Sequence, residues 1–367
     1  MVLTSSVPLV AFSMLLALMD LVEAASYDMV KEYSGKTFFD EWTFYNHFDN
    51  LTNGNVQYLS ASDAFKSKLA FVDPTTNHAI MKVDNTSNVE FNSNRNSVRL
   101  QTDVKYSVGS VWIVDMLHVP FGCAVWPAWW SVADTREGGE IDTFEGVNLA
   151  SHSIMGLHTL PGCTQVGQNQ SSTIVNSTDC SFLANDNQGC ISTVKSTQSY
   201  GSEFAKAGGG VFGTEFAESG ISIWFFPRAE VPDVLSSNSS SIDTSSFGQP
   251  VGNWPSTQCN SSEFFQPQHL IFVITLCGDL AGRPEIFSQT CPGVCYNDHV
   301  LGDGSNFADA YFEVASVRVF SKEGTSTVVG VPKTSSTRRI VSISRWGGLV
   351  VAAIGLTLIS TFSSVFL

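Results

Sequence analysis

Between two apolar ends the 367-residue chain predicts an all-β sandwich, and three observations carry that reading. Alternation of apolar and polar residues, the period of a half-buried strand, recurs along it. Clusters of Gly, Asn, Ser and Pro break the alternating runs at short intervals. No long helical period appears between the termini, so sheets packed on one another are the natural class.

The runs themselves come in order. Val98-Arg99-Leu100-Gln101-Thr102 and Ser110-Val111-Trp112-Ile113-Val114-Asp115-Met116 lie in the first third. Ile221-Ser222-Ile223-Trp224-Phe225-Phe226 and Ala310-Tyr311-Phe312-Glu313-Val314-Ala315-Ser316-Val317-Arg318-Val319 follow. Segments Gln165–Asn187 and Ser236–Gly248 are rich in Ser, Asn and Thr and read as exposed, glycosylated loops. Ser321–Thr337, with its Ser, Thr and Gly, reads as a tether. No internal repeat is visible.

Both ends look like processing signals. An apolar stretch from Val7 to Met19 followed by Val22-Glu23-Ala24-Ala25 has the form of a secretory leader over residues 1–25, although its start lacks a basic residue. At the other end Gly347 to Leu367 is apolar and preceded by Arg338, Arg339 and Arg345. A stop-transfer helix in a leader-led chain places its basic residues after the span. Small residues Ser335-Ser336-Thr337, a short polar spacer and an apolar tail instead fit a GPI-attachment signal over residues 338–367, with a retained helix as the alternative. Six Asn-x-Ser/Thr sequons, at Asn50, Asn85, Asn169, Asn176, Asn238 and Asn260, agree with export.

What remains, residues 26–320 plus the tether, is enough for one large sandwich and too short for two full domains. Losing Asp20 and Glu23 with the leader and three Arg with the tail moves the formal charge from −15 to about −16. Such an acidic surface excludes nucleic acid and anionic membranes as partners. Eight cysteines in an exported chain suggest up to four disulfides whose pairing the sequence leaves open. A zinc site at Cys291-x-x-x-Cys295 is the competing reading, weakened by the lack of a second Cys/His pair nearby. Gly-rich phosphate loops, H-E-x-x-H and G-x-S-x-G are all missing.

One stretch concentrates chemistry. Gly138-Gly139-Glu140-Ile141-Asp142-Thr143-Phe144-Glu145 puts three carboxylates within six positions of a mostly apolar run, and buried carboxylates are costly unless paired or used. Along a strand, Glu140 and Asp142 share a face while Glu145, an odd number of steps away, falls on the other. A bulge of one residue between Asp142 and Glu145 restores it. The alternative is an ordinary strand with an acidic, solvated face. Just upstream, Trp126-Pro127-Ala128-Trp129-Trp130 packs three indoles into five residues. Aromatic planes stack on the C–H faces of sugars, and indoles equally fill cores. A pair of carboxyls about 5–5.5 Å apart is the equipment of a retaining glycosidase.

The run from Pro120-Phe121-Gly122-Cys123 through Trp126-Pro127-Ala128-Trp129-Trp130 to Gly138-Gly139-Glu140-Ile141-Asp142-Thr143-Phe144-Glu145-Gly146-Val147-Asn148 resembles glycoside hydrolase family 16, in particular its fungal laminarinase-like endo-1,3(4)-β-glucanases. Leu157-His158-Thr159 with Gly162-Cys163, and Ile274-Thr275-Leu276-Cys277-Gly278-Asp279, resemble the same family, so the likeness runs from about Ser26 to Phe320. It implies a concanavalin-like β-jelly-roll sandwich with a concave glucan-binding groove. It also implies Glu140 as nucleophile, Glu145 as acid/base and Asp142 as the helper of Glu140, with Trp130 and Trp126 as sugar platforms and His158 in the groove. Two departures stand out. Asp134-Thr135-Arg136-Glu137 carries no Trp before the Gly-Gly-Glu, and Leu280 follows Asp279 where fungal members often have Trp. Asp134 and Glu137 read as solvated loop charges, and Asp279 equally as a turn residue or a ligand contact.

The expected activity is a retaining endo-β-glucanase for β-1,3 and mixed β-1,3/1,4 glucans, acting as a monomer at the cell surface or wall. It requires no metal or organic cofactor and leaves room for a structural calcium. The rivals are a wall transglycosylase and a non-catalytic glucan-binding protein. Against the first, the family's wall and xyloglucan transglycosylases typically have E-x-D-x-E, without the extra residue. Against the second, both glutamates are present.

Overall fold

The computed structural model describes residues 26–235 and 239–331. The expected leader and the expected C-terminal anchor signal therefore lie outside the described residues, as does the sequon Asn238. The sheet holding the acidic cluster has eight strands: β1 (Trp42–Phe44), β2 (Arg99–Thr102), β3 (Val125–Val132), β4 (Glu140–Glu145), β5 (Ile154–His158), β6 (Thr173–Val175), β7 (Cys190–Thr193) and β8 (His269–Leu276). Their spatial order is β6-β7-β5-β4-β3-β8-β2-β1, and every neighbouring pair is antiparallel.

The opposing sheet has nine strands. Its main path runs Ser241–Asp243, Ser26–Ser34, Tyr311–Lys322, Ser110–His118, Gly210–Ala217, Gly220–Pro227 and Gly252–Pro255. Apart from Val98 and Ala310, which lie just before their strands, the four alternating runs read from sequence fall in strands of these two sheets. Between the sheets, Trp129, Phe272 and Phe144 from one side meet Phe312 and Phe212 from the other. Each buried ring contributes roughly 1.5–3 kcal/mol by leaving water.

Strand Ser110–His118 is buried on both faces over its first five residues. The reason is a second, smaller core on the outer side of its sheet, where Val111 and Ile113 meet Trp224, Leu235, Ile242, Phe247 and Phe320. This overturns the reading of Ser236–Gly248 as an exposed loop: Ile242 and Phe247 are buried, and Ser241–Asp243 pairs with Ser26–Asp28. Gln165–Asn187 is largely exposed or half-buried, Asn169 and Asn176 included, while it also supplies edge strand β6 and the buried Cys180. The expected break between Phe320 and Ser321 falls inside a strand. Pairing continues to Lys322, and Val328–Val329 pairs with Lys105–Tyr106, so the sheet structure takes in the first part of the expected tether.

All eight cysteines are bridged: Cys123–Cys291, Cys163–Cys259, Cys180–Cys190 and Cys277–Cys295. Cys291 and Cys295 thus have different partners, which removes both the zinc reading and a short Cys291–Cys295 loop. Of the five described sequon asparagines, four are exposed and Asn85 is half-buried.

Candidate active site

Strand β4 contains the bulge that the odd spacing demands. Asp142 pairs with Gly156 and Glu145 with Ile154, so three steps on β4 match two on β5. On the other side Trp129 pairs with Phe144 and Trp130 with Asp142, which leaves Thr143 as the extra residue. Thr143 and Phe144 consequently both point into the sandwich. The Thr143 hydroxyl lies 2.6 Å from that of Thr214 on the opposing sheet, and Phe144 packs edge-on to Phe212 at 5.3 Å. With Ile141 also buried, Glu140, Asp142 and Glu145 share the outer face.

Two glycines fix the ends of this strand. Gly139 has a φ of +80°, and a Cβ there would lie 2.4 Å from the Phe265 ring. At Gly146 a Cβ would meet the Tyr200 ring at 2.1 Å. Any side chain at either position would push Glu140 or Glu145 out of register.

The carboxyls are not equivalent. Burial pushes Glu145 up to about 7, with Glu140 adding to the rise and a hydrogen bond from Trp126 opposing it. That bond runs from the indole Nε1 to Glu145 Oε1 at 2.5 Å. Asp142 is held well above the usual carboxylate range by burial and then by the charges of Glu140 and Glu145, while Arg136 acts the other way. His158, opposite Glu140 in register, brings Nε2 to 3.4 Å from Asp142 Oδ2 and 4.0 Å from Glu140 Oε1. Glu140, Asp142 and His158 also form the one group of three potential metal ligands among the described residues, their ligand atoms within 4.8 Å of one another.

Trp126, Ala128, Trp130 and Val132 alternate onto the same face of β3, whereas Trp129 turns into the core. Sequence reasoning missed Arg99. Its guanidinium lies 4.9 Å from the ring of Trp130 and 5.3 Å from that of Tyr45. Tyr45 donates its backbone N–H to Arg99, Arg99 pairs with Val273, Val273 with Ala128 and Ala128 with Glu145. This row crosses the face, and at ~4.8 Å per strand it is about 19 Å long. The signal was available: a lone arginine between Val98 and Leu100 in an alternating strand must emerge on one face.

The remaining candidates are peripheral. Asp134 is exposed, accepting from Lys105 Nζ and close to His269; Glu137 is exposed on the same turn. Asp279, in the short helix Gly278–Ala281, accepts from the Asn53 side chain. Asn148, beyond the acidic motif, is fully buried and holds Ala124 and Ala281 by its side chain, bracing the loop that leads into β3.

A two-sheet β sandwich with paired carboxyls and an aromatic- and arginine-lined face defines a glycoside hydrolase. The catalytic-domain model described as XgeA-like GH16 matches residues 42–320, and the chain belongs to glycoside hydrolase family 16. It is 38% identical to a probable glycosidase of Schizosaccharomyces pombe over 303 residues, which cover 81% of this chain and 70% of that protein. Among solved structures, Laminarinase 16A of Phanerochaete chrysosporium, described with β-glucans in both donor and acceptor sites, superimposes with a TM-score of 0.77 at 33% identity, over 81% of this chain and all of that one. An elongating family 16 β-1,3-glucosyltransferase gives a TM-score of 0.74 at 36% identity over 80% of this chain and all of that one. Fungal relatives named as probable endo-1,3(4)-β-glucanases run longer, and the chain spans about half their length, 46% in one instance. The fold is the family's jelly-roll sandwich.

Proposed function

We propose that the chain is a retaining endo-β-glucanase that cleaves β-1,3 and mixed β-1,3/1,4 glucans by double displacement. The observation that carries this reading is the bulge at Thr143, which turns Glu140, Asp142 and Glu145 onto one face. Glu145, with its pKa near 7, keeps its proton at mildly acidic pH and gives it to the departing glycosidic oxygen. Glu140 attacks the anomeric carbon and forms the glycosyl-enzyme. Glu145, now a carboxylate, takes a proton from water as that water displaces Glu140. Asp142 acts as the helper of Glu140: with His158, whose Nε2 lies 3.4 Å away, it holds a proton beside the nucleophile and tempers the charge that builds and disperses there. Trp130 and Trp126 present aromatic surface to sugar rings, and Arg99 offers donors to their hydroxyls.

Glu140→Gln should abolish turnover of good and poor leaving groups alike. Glu145→Gln should retain much of the first step on an activated aryl glycoside, which needs no proton. Equal losses in both variants on that substrate would remove the assignment of nucleophile and acid. Transfer to a sugar hydroxyl in place of water is the second reading, favoured by the likeness to the elongating glucosyltransferase. Product length decides between them: hydrolysis shortens laminarin oligosaccharides and transfer lengthens them.

Export, N-glycosylation and a GPI anchor complete the proposal, supported by the apolar leader, the tail signal and the exposed sequon asparagines.

A further inference from the structure

Outside the reacting carboxyls, one loop touches the site at several points without contributing a carboxyl to it. It is closed by Cys180–Cys190, ten positions apart, and it carries Phe182 and Asn187. Arg136, from the turn before Glu140, stacks its guanidinium 4.5 Å from the centre of the Phe182 ring and donates Nη2–H to Asn187 Oδ1. His158 Nδ1 lies 3.2 Å from the same oxygen. Further along, Gly189 has a φ of +68° and presses so close that a Cβ there would lie 2.9 Å from the His158 ring.

These contacts fix a proton. Arg136 has only donors, so the Asn187 atom facing it is the carbonyl oxygen. An oxygen that can only accept requires His158 Nδ1 to carry hydrogen. The ring of neutral His158 then presents a bare Nε2 to Asp142, 3.4 Å away. A neutral Asp142 donates to it, and if the proton crosses, the imidazolium donates back. Either way the pair holds one proton beside Glu140.

We propose that Asn187 is a positioning residue that sets the tautomer of His158 and, through it, which ring nitrogen faces Asp142 next to the nucleophile. This rests on the glucanase reading for its catalytic consequence, and on geometry alone for the tautomer. The groups that face His158 are Asp142 and Glu140 from β4, and Asn187 with its partner Arg136 from the loop and turn; Asp186 lies beside Asn187 in the chain. Removing the Asn187 oxygen frees the ring to take either tautomer and to turn, so the proton beside Glu140 is no longer held in one place.

The test uses full-length protein labelled with 15N-histidine; His158→Gln identifies the resonance among seven histidines. At a pH where the ring is neutral, wild-type His158 should carry its hydrogen on Nδ1. Asn187→Leu should lose that preference and lower kcat on laminarin about 3- to 10-fold, the weight of one hydrogen bond. KM should stay within about twofold and the acid limb of kcat/KM should move by roughly half a unit or more. Asn187→Asp, which keeps an accepting oxygen, should recover kcat to within about twofold. A neutral wild-type ring with its hydrogen on Nε2 and none on Nδ1 overturns the proposal. So does a wild-type rate and pH profile in Asn187→Leu, or a loss of rate that a folded Asn187→Asp does not repair. A wild-type protein inert on every β-glucan would overturn the glucanase reading instead, and the tautomer measurement would still decide the role of Asn187.

Discussion

Trp126→Phe separates two roles that one indole can play in this groove. The ring either stacks on a sugar or, through Nε1–H, stabilises the ionised form of Glu145 at 2.5 Å. Phenylalanine keeps an aromatic face and deletes only the donor. Hydrogen bonds to charged groups contribute about 1.5–3 kcal/mol, against about 0.5–1.5 for neutral pairs. The difference between the two protonation states of Glu145 is thus on the order of 1.4 kcal/mol, or one pKa unit. The sign follows from which state is favoured: an N–H donor holds the carboxylate, so its loss raises the pKa. From a starting value of about 7, Glu145 should move towards about 8. Because the proposed first step needs Glu145 protonated, the basic limb of kcat/KM should shift up by roughly one unit. The second step needs a good base, and the deglycosylation rate should respond in its own right. The assay is initial-rate release of reducing sugar from laminarin between pH 4 and 10, with full saturation curves at each pH. A basic limb that stays in place, or moves down, would falsify the role given to the indole N–H. A change confined to KM would make Trp126 a stacking platform only.

Deleting Thr143 converts the spacing to E-x-D-x-E and removes the bulge. It also strands the Thr214 hydroxyl, which is fully buried, at a cost of about 1–3 kcal/mol. We expect at least a tenfold loss of laminarin turnover and a Tm lower by several degrees in thermal unfolding; wild-type values for both would mean that the partner strands do not depend on the bulge. For the anchor, a GPI-specific phospholipase should release the enzyme from cells. Failure to release it, with a tag placed after Leu367 still on the mature chain, would mean a retained membrane helix.

Much of the site was legible because it depends on parity. Three carboxyls at odd and even steps can share a face only with one residue out of phase, and Thr143 is that residue. Trp130 and His158 fell into place through the same alternation. Arg99 was overlooked because its partners, Tyr45 and Trp130, are distant in sequence and meet only across three strands. Asn187 was hidden for a similar reason, since a loop polar residue gains meaning only once Cys180–Cys190 fixes where the loop sits. Ser236–Gly248 misled in the other direction. Its many serines outweigh Ile242 and Phe247 in composition, yet those two side chains decide its burial. Disulfide partners were beyond reach, because pairing is a property of the folded chain rather than of spacing.

The pairing of strand Ser26–Ser34 with Tyr311–Lys322, which sets Tyr27 opposite Lys322, governs how the molecule can be made. A chain emerging from the ribosome synthesises one partner nearly three hundred residues before the other. Until then Tyr27 and Met29 have no central neighbour, and the outer core around Val111 and Ile113 lacks Phe320. Cross-links should mature in a matching sequence. Closing Cys180–Cys190, ten apart, is less costly in loop entropy by about 2.5 kcal/mol than closing Cys123–Cys291, 168 apart. The groove wall beside His158 is therefore stapled early, while the sandwich as a whole waits for its last long strand. Non-local strand pairing of this kind is slow to form, and sheet edges left open meanwhile are prone to aggregate.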